Sequence, residues 1–244
     1  MITTLRDAWR TAVPDMSDRH GPLPPVMLLL TVVTGLVDAY SYLVLGRVFV
    51  ANMTGNVVFA GFAIAGAQGF SLAATGVALA AFAAGALVGG RIIRRARSHR
   101  ARVLFRSLAA QILLIAGAYL VAELSGSPGE AGTRYPLLIL LGLGMGVQNA
   151  AARSLAVPDL TTTVLTLTIT GTAADSHLAG GPGSKAGRRL LSAAAMLLGG
   201  LIGALVIVHG HQALPLGIAA LLLAAACGTA WRLTRSSAPW TQPL

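Results

Sequence analysis

The sequence predicts an all-α, polytopic membrane protein with about six transmembrane helices and two broken or re-entrant helices in a 3+3 inverted repeat. Of its 244 residues, 55% are hydrophobic and 11% are charged, whereas charged residues make up about 25% of an average soluble domain. No charged residue lies between Arg47 and Arg91, a gap of 43 residues that can hold two membrane elements of about 20 residues each. Lipid must therefore cover much of this surface, because a buried soluble core could not hide so many uncharged stretches.

Eight apolar segments follow one another along the chain, and each is predicted to be helical because a backbone in lipid must satisfy its own hydrogen bonds. In chain order, segments A to H cover residues 25–45, 48–66, 71–90, 103–122, 135–152, 160–174, 190–208 and 213–231. They divide the chain into an N-terminal segment (1–24), a first membrane repeat (25–123), a linker (124–134), a second membrane repeat (135–232) and a tail (233–244).

Arginine placement predicts the orientation of these segments. Seven arginines fall within residues 91–106, between C and D, and further cations lie at 185–189 and 232–235. Connections rich in arginine and lysine stay on the cytoplasmic side. We therefore expect a multi-pass protein of the bacterial inner (plasma) membrane with both termini cytoplasmic. The net charge of +10 is explained by this topology, so nucleic acid is not an expected partner.

Counting crossings indicates that segment B does not span the membrane. The N-terminus and the C–D connection are both predicted inside, so an even number of crossings must separate them, yet A, B and C make three. B carries the most polar groups of the three, and Gly55 and Gly61 loosen its helix. We hypothesise that B enters from the outside and returns there.

An internal repeat leads to the same topology. Residues 35–39 (GLVDA) align with 146–150 (GVQNA) at a shift of 111, and 52–56 (NMTGN) align with 164–168 (VLTLT) at a shift of 112. The order A-B-C-D thus repeats as E-F-G-H, and F, which is short and rich in threonine, should also be re-entrant. Three spans in each half make the halves face opposite ways.

Asp38 is the most informative polar residue because it lies inside a predicted span. A carboxylate there costs about 2.5–3.5 kcal/mol on the insertion scale, and such groups usually mark ion or proton pathways. Asp38 is therefore predicted to bind or carry a coupling cation or proton. The alternative is that it only accepts hydrogen bonds from a broken helix. Its repeat partner Asn149 has a similar shape but cannot ionise.

Uncharged polar side chains in both halves complete the predicted site. Asn52 and Asn56 are four residues apart, which places them on one face of a helix, with Thr54 between them. The full predicted set for a small polar solute or ion is Asp38, Asn52, Thr54, Asn56, Gln148, Asn149 and Thr166. The alternative for these amides and hydroxyls is hydrogen bonding between helices.

Other polar and small residues have simpler predicted roles. Asp159 is a plausible N-cap for segment F, and Arg153 either reaches the interface or pairs with Asp159. Asp175 closes F as a gate or as a solvated helix end. The pairs Gly85/Gly89 and Gly199/Gly203 have the small-xxx-small spacing that favours close helix packing, inside the molecule or in a dimer.

The usual signatures of enzymes and cofactor sites do not occur in the sequence. HExxH, GxSxG, Walker, CxxC and dinucleotide patterns are all missing. The single Cys227 excludes an intrachain disulfide, and His209 and His211 have no nearby acid or cysteine to complete a metal site. No enzymatic activity, cofactor or metal is therefore expected.

Two signatures together resemble the YoaK family of bacterial membrane proteins, a domain-of-unknown-function family. The first combines residues 35–39 with 49–56 (FVANMTGN), and the second combines 146–150 with 157–166 (VPDLTTTVLT). The resemblance covers about residues 25–232 and implies a polytopic inner-membrane protein of a kind sometimes described as a permease. Leu167 departs from the pattern, since relatives tend to have glycine there.

These observations favour a permease for a small solute or ion, with a polar site at the interface of the repeats and proton or cation coupling through Asp38. The expected partners are the lipid bilayer and a small polar solute or ion, and a homo-oligomer remains open. The alternative is a non-catalytic membrane partner that regulates another membrane protein.

Overall fold

The computed structural model describes residues 2–126, 128–160, 162, 165–175, 180 and 186–243. This part of the chain is helical and contains no strand. The helices are α1 (Ile2–Ala12), α2 (Leu23–Val44), α3 (Met53–Ile64), α4 (Leu72–Ala96), α5 (Arg100–Ser125), α6 (Ala131–Leu155), α7 (Leu165–Ala174), α8 (Ala186–Val208) and α9 (Leu214–Leu233). A 3₁₀ turn, Pro239–Thr241, follows near the C-terminus.

Six of the described helices are long and apolar enough to cross a membrane, namely α2, α4, α5, α6, α8 and α9. The predicted all-α membrane fold with six spans is therefore confirmed. Segments B and F contain α3 and α7, which have 12 and 10 residues. At 1.5 Å per residue these helices are about 18 and 15 Å long, too short for a hydrocarbon core of about 30 Å.

The crossing of α2 and α8 depends on glycines that let the two backbones touch. A Cβ atom on Gly35 would lie 2.5 Å from the carbonyl oxygen of Met196, and one on Gly203 would lie 2.9 Å from the Cβ of Ala39. Gly199 faces the backbone of Val32 just as closely. Any side chain at these positions would push the helices apart.

The crossing of α4 and α6 has the same construction. A Cβ atom on Gly146 would lie 2.7 Å from the backbone nitrogen of Ala86, and one on Gly89 would lie 2.9 Å from the Cβ of Ala150. Gly85 faces the backbone of Leu143. The close packing predicted for the glycine pairs on α4 and α8 is thus confirmed, and it occurs inside the molecule.

Corresponding glycines of the two crossings are separated by similar numbers of residues along the chain. On α2 and α6, Gly35 corresponds to Gly146 at an offset of 111, which is the offset of the sequence repeat. On α8 and α4, Gly199 corresponds to Gly85 at an offset of 114. The first long helix of each half therefore packs on the third element of the other half.

Both terminal segments lie at one end of the bundle, together with the α4–α5 connection. Nε2 of His99 in that connection is 2.9 Å from the carbonyl oxygen of Ser236 in the tail. A guanidinium nitrogen of Arg100 donates to the carbonyl oxygen of Arg19 at 3.2 Å. The N-terminal segment, for which the sequence predicts no helix, contains α1, which packs against α8 at this end.

Candidate functional site

Asp38 holds the chain segment that leads into α3. One carboxylate oxygen, Oδ1, accepts hydrogen bonds from the backbone N–H groups of Val50 at 3.2 Å and Ala51 at 3.0 Å. Asp38 lies six residues before Val44, the last residue of α2, which is a distance of about 9 Å along the helix axis. The chain therefore leaves α2, turns back along it and begins α3 at the depth of Asp38.

Asn56 holds the same segment from its other side. Its side-chain Oδ1 accepts from the backbone N–H of Phe49 at 2.9 Å, and its Nδ2 donates to the carbonyl oxygen of Phe49 at 2.6 Å. Asn56 is fully buried, as are the neighbouring Val48 and Val50. The extended backbone before α3 thus obtains from Asp38 and Asn56 the hydrogen bonds that a neighbouring strand would supply.

The segment around α3 returns to the place where it starts, and we call residues 47–70 the α3 hairpin. The guanidinium carbon of Arg47 lies 5.7 Å from the centre of the Phe70 ring. The Phe59 ring on α3 contacts both arms, with centroids 5.7 Å from Phe49 and 5.2 Å from Phe70. The two ends of the hairpin therefore lie close together, as they would in the re-entrant segment hypothesised for B.

The side chains of Asn52 and Thr54 are exposed at the start of α3, and neither makes a hydrogen bond within the described residues. The prediction that Asn52 and Asn56 share one helix face is wrong. Asn52 is the N-cap, with φ −100° and ψ 78°, so the helix begins only after it. Asn56 instead turns inward to Phe49, and Asn52 and Thr54 stand beside the first N–H groups of α3, which have no partner within a helix.

Gln148 lies in a buried polar network at the centre of the bundle. Its Oε1 accepts from Nε2 of Gln111 on α5 at 2.6 Å, and its Nε2 donates to Oγ1 of Thr34 on α2 at 2.8 Å. Thr34 in turn donates to the carbonyl oxygen of Leu30 at 2.9 Å. This network ties α2, α5 and α6 together one helical turn below Asp38, because Thr34 and Asp38 are four residues apart on one face of α2.

The other two predicted residues belong to the second half. Asn149 is half-buried and donates from Nδ2 to the carbonyl oxygen of Met145 at 2.9 Å. Thr166 lies in the first turn of α7, and its side chain lies outside the described residues. Among the predicted site residues whose side chains are described, Asp38, Asn52, Thr54 and Asn56 thus lie at the α3 hairpin, whereas Gln148 and Asn149 lie on α6.

One arginine of α8 forms ion pairs with two acids, one before α7 in the chain and one directly after it. The guanidinium of Arg189 is 2.9 Å from a carboxylate oxygen of Asp159 and 2.9 Å from one of Asp175. Asp159 precedes the first residue of α7 by six positions and has φ 62°, so the predicted N-cap is wrong. Its partner is Arg189 on α8 rather than Arg153, because the chain turns at Asp159 before α7 begins.

Sequence reasoning missed Gln111, Thr34 and Arg189. Gln111 had a usable signal, since it is an amide inside an otherwise aliphatic stretch of segment D. Thr34 could have been found as the residue one turn before Asp38. Arg189 had no signal of its own, because arginines near helix ends are common in membrane proteins. The described residues contain no group of three histidines, cysteines or acids placed to hold a metal ion.

Comparison with known proteins places this architecture in a family. Residues 26–229, from α2 through most of α9, match the family described as "Protein of unknown function (DUF1275)". The chain belongs to the DUF1275 family. Its residues are 31% identical to the UPF0700 transmembrane protein YoaK of Bacillus subtilis (strain 168) over 145 residues, which cover 59% of this chain and 63% of that relative. The aligned region is thus less than two thirds of the relative's length.

The predicted resemblance to YoaK-like proteins is confirmed by these matches, and so is the transmembrane character of the chain. The DUF1275 region contains the α3 hairpin, Asp38 and the Gln148 network, whereas α1 and the 3₁₀ turn lie outside it. No solved structure matches this chain.

Proposed function

We propose that this protein is a permease for a small polar solute or ion, with its binding site at Asp38 and the start of α3. The observation that carries the proposal is the carboxylate of Asp38, which lies inside a helix long enough to span the membrane. Only Oδ1 is bonded to the hairpin, and Oδ2 makes no hydrogen bond within the described part of the chain. Acidic groups in such positions usually serve ion or proton pathways because their burial is costly.

In this proposal the two oxygens of Asp38 have different roles. Oδ1 fixes the α3 hairpin to α2, and Oδ2 binds the coupling cation or proton. Asn52 and Thr54 supply an amide and a hydroxyl beside the helix start, where they can replace part of a solute's hydration shell. Binding or release of the solute would act directly on the position of the α3 hairpin, because the backbone of the hairpin is hydrogen-bonded to the same carboxylate. The proposal includes no catalytic step.

Two halves of opposite orientation would support this reading. The offsets of 111 and 114 residues at the two glycine crossings are those expected if the halves are related by a pseudo-two-fold axis, and three spans in each half would place that axis in the membrane plane. Many transporters have this arrangement, with interrupted helices near the midplane. The α3 hairpin would then enter from the outside, and α7 from the cytoplasm. The arginine-rich α4–α5 connection supports a cytoplasmic position for both termini in a bacterial inner membrane.

The functional test separates the charge of Asp38 from its hydrogen bonds. Asp38→Asn keeps an oxygen that can accept from Val50 and Ala51 but cannot carry a charge, whereas Asp38→Ala loses both. Purified protein is screened by thermal shift against alkali cations, inorganic anions, amino acids, sugars and carboxylates, and each hit is followed by uptake into proteoliposomes. We expect Asp38→Asn to keep its unliganded melting temperature and to lose both the thermal shift and uptake.

Wild-type transport in Asp38→Asn would contradict the role of the charge, because it would reduce Asp38 to a backbone acceptor. The alternative function, a non-catalytic partner of another membrane protein, is favoured by the outer face of α3. Val57 is 63% and Ile64 is 74% exposed there, and lipid or a protein must cover them. Stoichiometric co-purification of one partner, without any solute response, would support that alternative.

A further inference from the structure

We propose a second binding site, for a phosphate-bearing anion, at the end of the bundle that carries both chain termini. A cavity of about 440 Å³ lies there between the N-terminal segment, the start of α5, the end of α6 and the tail. The lining residues that matter are Arg19, His20, Arg100 and Trp240. This site is separate from Asp38 and does not depend on the permease proposal.

Arg100 is the central group of this site. It is 8% exposed, and its two terminal nitrogens donate to the carbonyl oxygens of Arg19 and Leu155. The bond to Leu155 satisfies one carbonyl group at the end of α6, and the two bonds together fix the guanidinium in place. The third nitrogen, Nε, is buried and has no partner in the described structure. A guanidinium held in this way has a donor and a positive charge left for an external acceptor.

Two other buried nitrogen atoms of residues that line this cavity also lack partners among the described residues. One is the indole Nε1 of Trp240, a donor whose ring is fully buried against Gly21. The other is Nδ1 of His20, which donates in one of the two neutral tautomers. A buried polar group without a hydrogen bond costs about 1–3 kcal/mol, so three such groups indicate an acceptor that the described residues do not supply.

The charge around the cavity is positive. None of the residues that line it is acidic. Asp18, which precedes Arg19 in the chain, has a carboxylate that accepts the backbone N–H of His20 at 2.8 Å. The positive charge comes from Arg19 and Arg100, because burial, and after it the charge of Arg100, lowers the pKa of His20 and favours its neutral form. A ligand that complements this cavity would therefore carry negative charge and several acceptors.

Phosphate fits this donor set better than a carboxylate does. Arg100, Trp240 and His20 belong to three separate parts of the chain, so a ligand that pairs with all of them needs several acceptor atoms. A tetrahedral phosphate offers more acceptor oxygens than a carboxylate, whose two oxygens lie in one plane. The phosphate could come from an anionic lipid headgroup, since basic pockets at the cytoplasmic ends of spans bind such groups, or from solution.

The test uses two conservative variants and two matched controls. Arg19→Gln removes an exposed charge at the cavity, and Trp240→Phe keeps a buried ring but removes the indole N–H. Arg97→Gln and Trp231→Phe make the same changes at residues that do not line this cavity. Full-length protein is melted with inorganic phosphate in detergent, and in nanodiscs of phosphatidylcholine with and without phosphatidylglycerol.

We expect wild type to be stabilised by inorganic phosphate or by phosphatidylglycerol. Loss of one charge-assisted contact should weaken binding about tenfold in Arg19→Gln and in Trp240→Phe, with the two controls like wild type. Stabilisation by phosphate in detergent assigns a soluble ligand, and stabilisation only by phosphatidylglycerol assigns a lipid. No stabilisation by either, or equal binding by all four variants, would overturn the proposal. If Trp240→Phe does not fold, the comparison of Arg19→Gln with Arg97→Gln decides whether the proposed site binds the anion.

Discussion

Asp38 and Asn56 are bonded to the main chain before α3 because an extended segment beside a membrane helix has no strand partner. Each buried N–H and C=O group there must find an acceptor or donor in the protein, because lipid supplies none. A short acid and a short amide can reach such groups from neighbouring helices. Part of the polar motif is therefore explained by backbone hydrogen bonding, and the proposed solute site uses the groups that remain, namely Oδ2 of Asp38, Asn52 and Thr54.

The two asparagines of the motif should differ in their effect on stability. Asn56→Ala leaves the buried N–H and C=O groups of Phe49 without partners, and we expect a loss of about 1–3 kcal/mol in the free energy of unfolding. Asn52→Ala is the matched control, since Asn52 is exposed and unbonded in the described structure. Denaturant unfolding in detergent micelles measures both. Equal destabilisation by the two substitutions would contradict the assigned roles.

The bond between Gln111 and Gln148 should show energetic coupling. Each single change to leucine leaves a buried amide without its partner, whereas the double change removes both amides. We expect the double variant to be more stable than the sum of the single effects predicts, with a coupling of about 0.6–1.7 kcal/mol, as for hydrogen bonds between membrane helices. A double-mutant cycle by denaturant unfolding measures this quantity. Strict additivity would show that the two amides act independently.

The short helices show which features of an element the sequence predicts. Hydropathy identified the six spans. The count of crossings and the polar content identified segment B, which contains α3, and short length with many threonines identified segment F, which contains α7. The residue at which α3 starts could not be predicted, because it depends on hydrogen bonds that Val50 and Ala51 donate to Asp38 on another helix. The placement of Asp159 beside Arg189 and the Gln111–Gln148–Thr34 network likewise require the packing of separate helices to be known.

Close backbone contact at the crossing of α2 and α8 predicts strong sensitivity to an added methyl group. Gly35→Ala would place Cβ 2.5 Å from a carbonyl oxygen, and neither backbone can move aside locally. We expect destabilisation of about 1–3 kcal/mol from overpacking. Gly117→Ala on α5 is the control, because nothing lies within 4 Å of its Cβ position, and alanine is the better helix former. Thermal unfolding in detergent measures both.

A loss of stability in Gly117→Ala as large as in Gly35→Ala would show that glycine is needed for another reason. Gly146→Ala, at the corresponding crossing of α4 and α6, should behave like Gly35→Ala, since its Cβ would lie 2.7 Å from the backbone of Ala86. Similar losses at these two positions would support equivalent roles for the two crossings.

At the scale of the molecule, the residues that pack the helices repeat between the two halves of the chain, whereas the polar residues do not. The glycine crossings repeat at constant offsets in the two halves. The polar residues do not repeat, since Asp38 corresponds to Asn149, and Gln148 corresponds to Val37. In the proposed inverted repeat, packing is thus shared by both halves, whereas the ionisable group belongs to one. Proton coupling, as proposed, needs a group that can change its charge, and of these two corresponding positions only that of Asp38 has one.

The most direct test of this account is the accessibility of the two ends of α3. Single cysteines replace Asn52 and Ile64 in a Cys227→Ala background, and intact membranes are labelled with an impermeant maleimide from each side. Arg97→Cys in the α4–α5 connection marks the inner side. The account predicts that both α3 positions react from the outer side only, and that position 52 reacts because water reaches the Asp38 site. Labelling of the two positions from opposite sides, or an inert position 52 facing lipid, would contradict it.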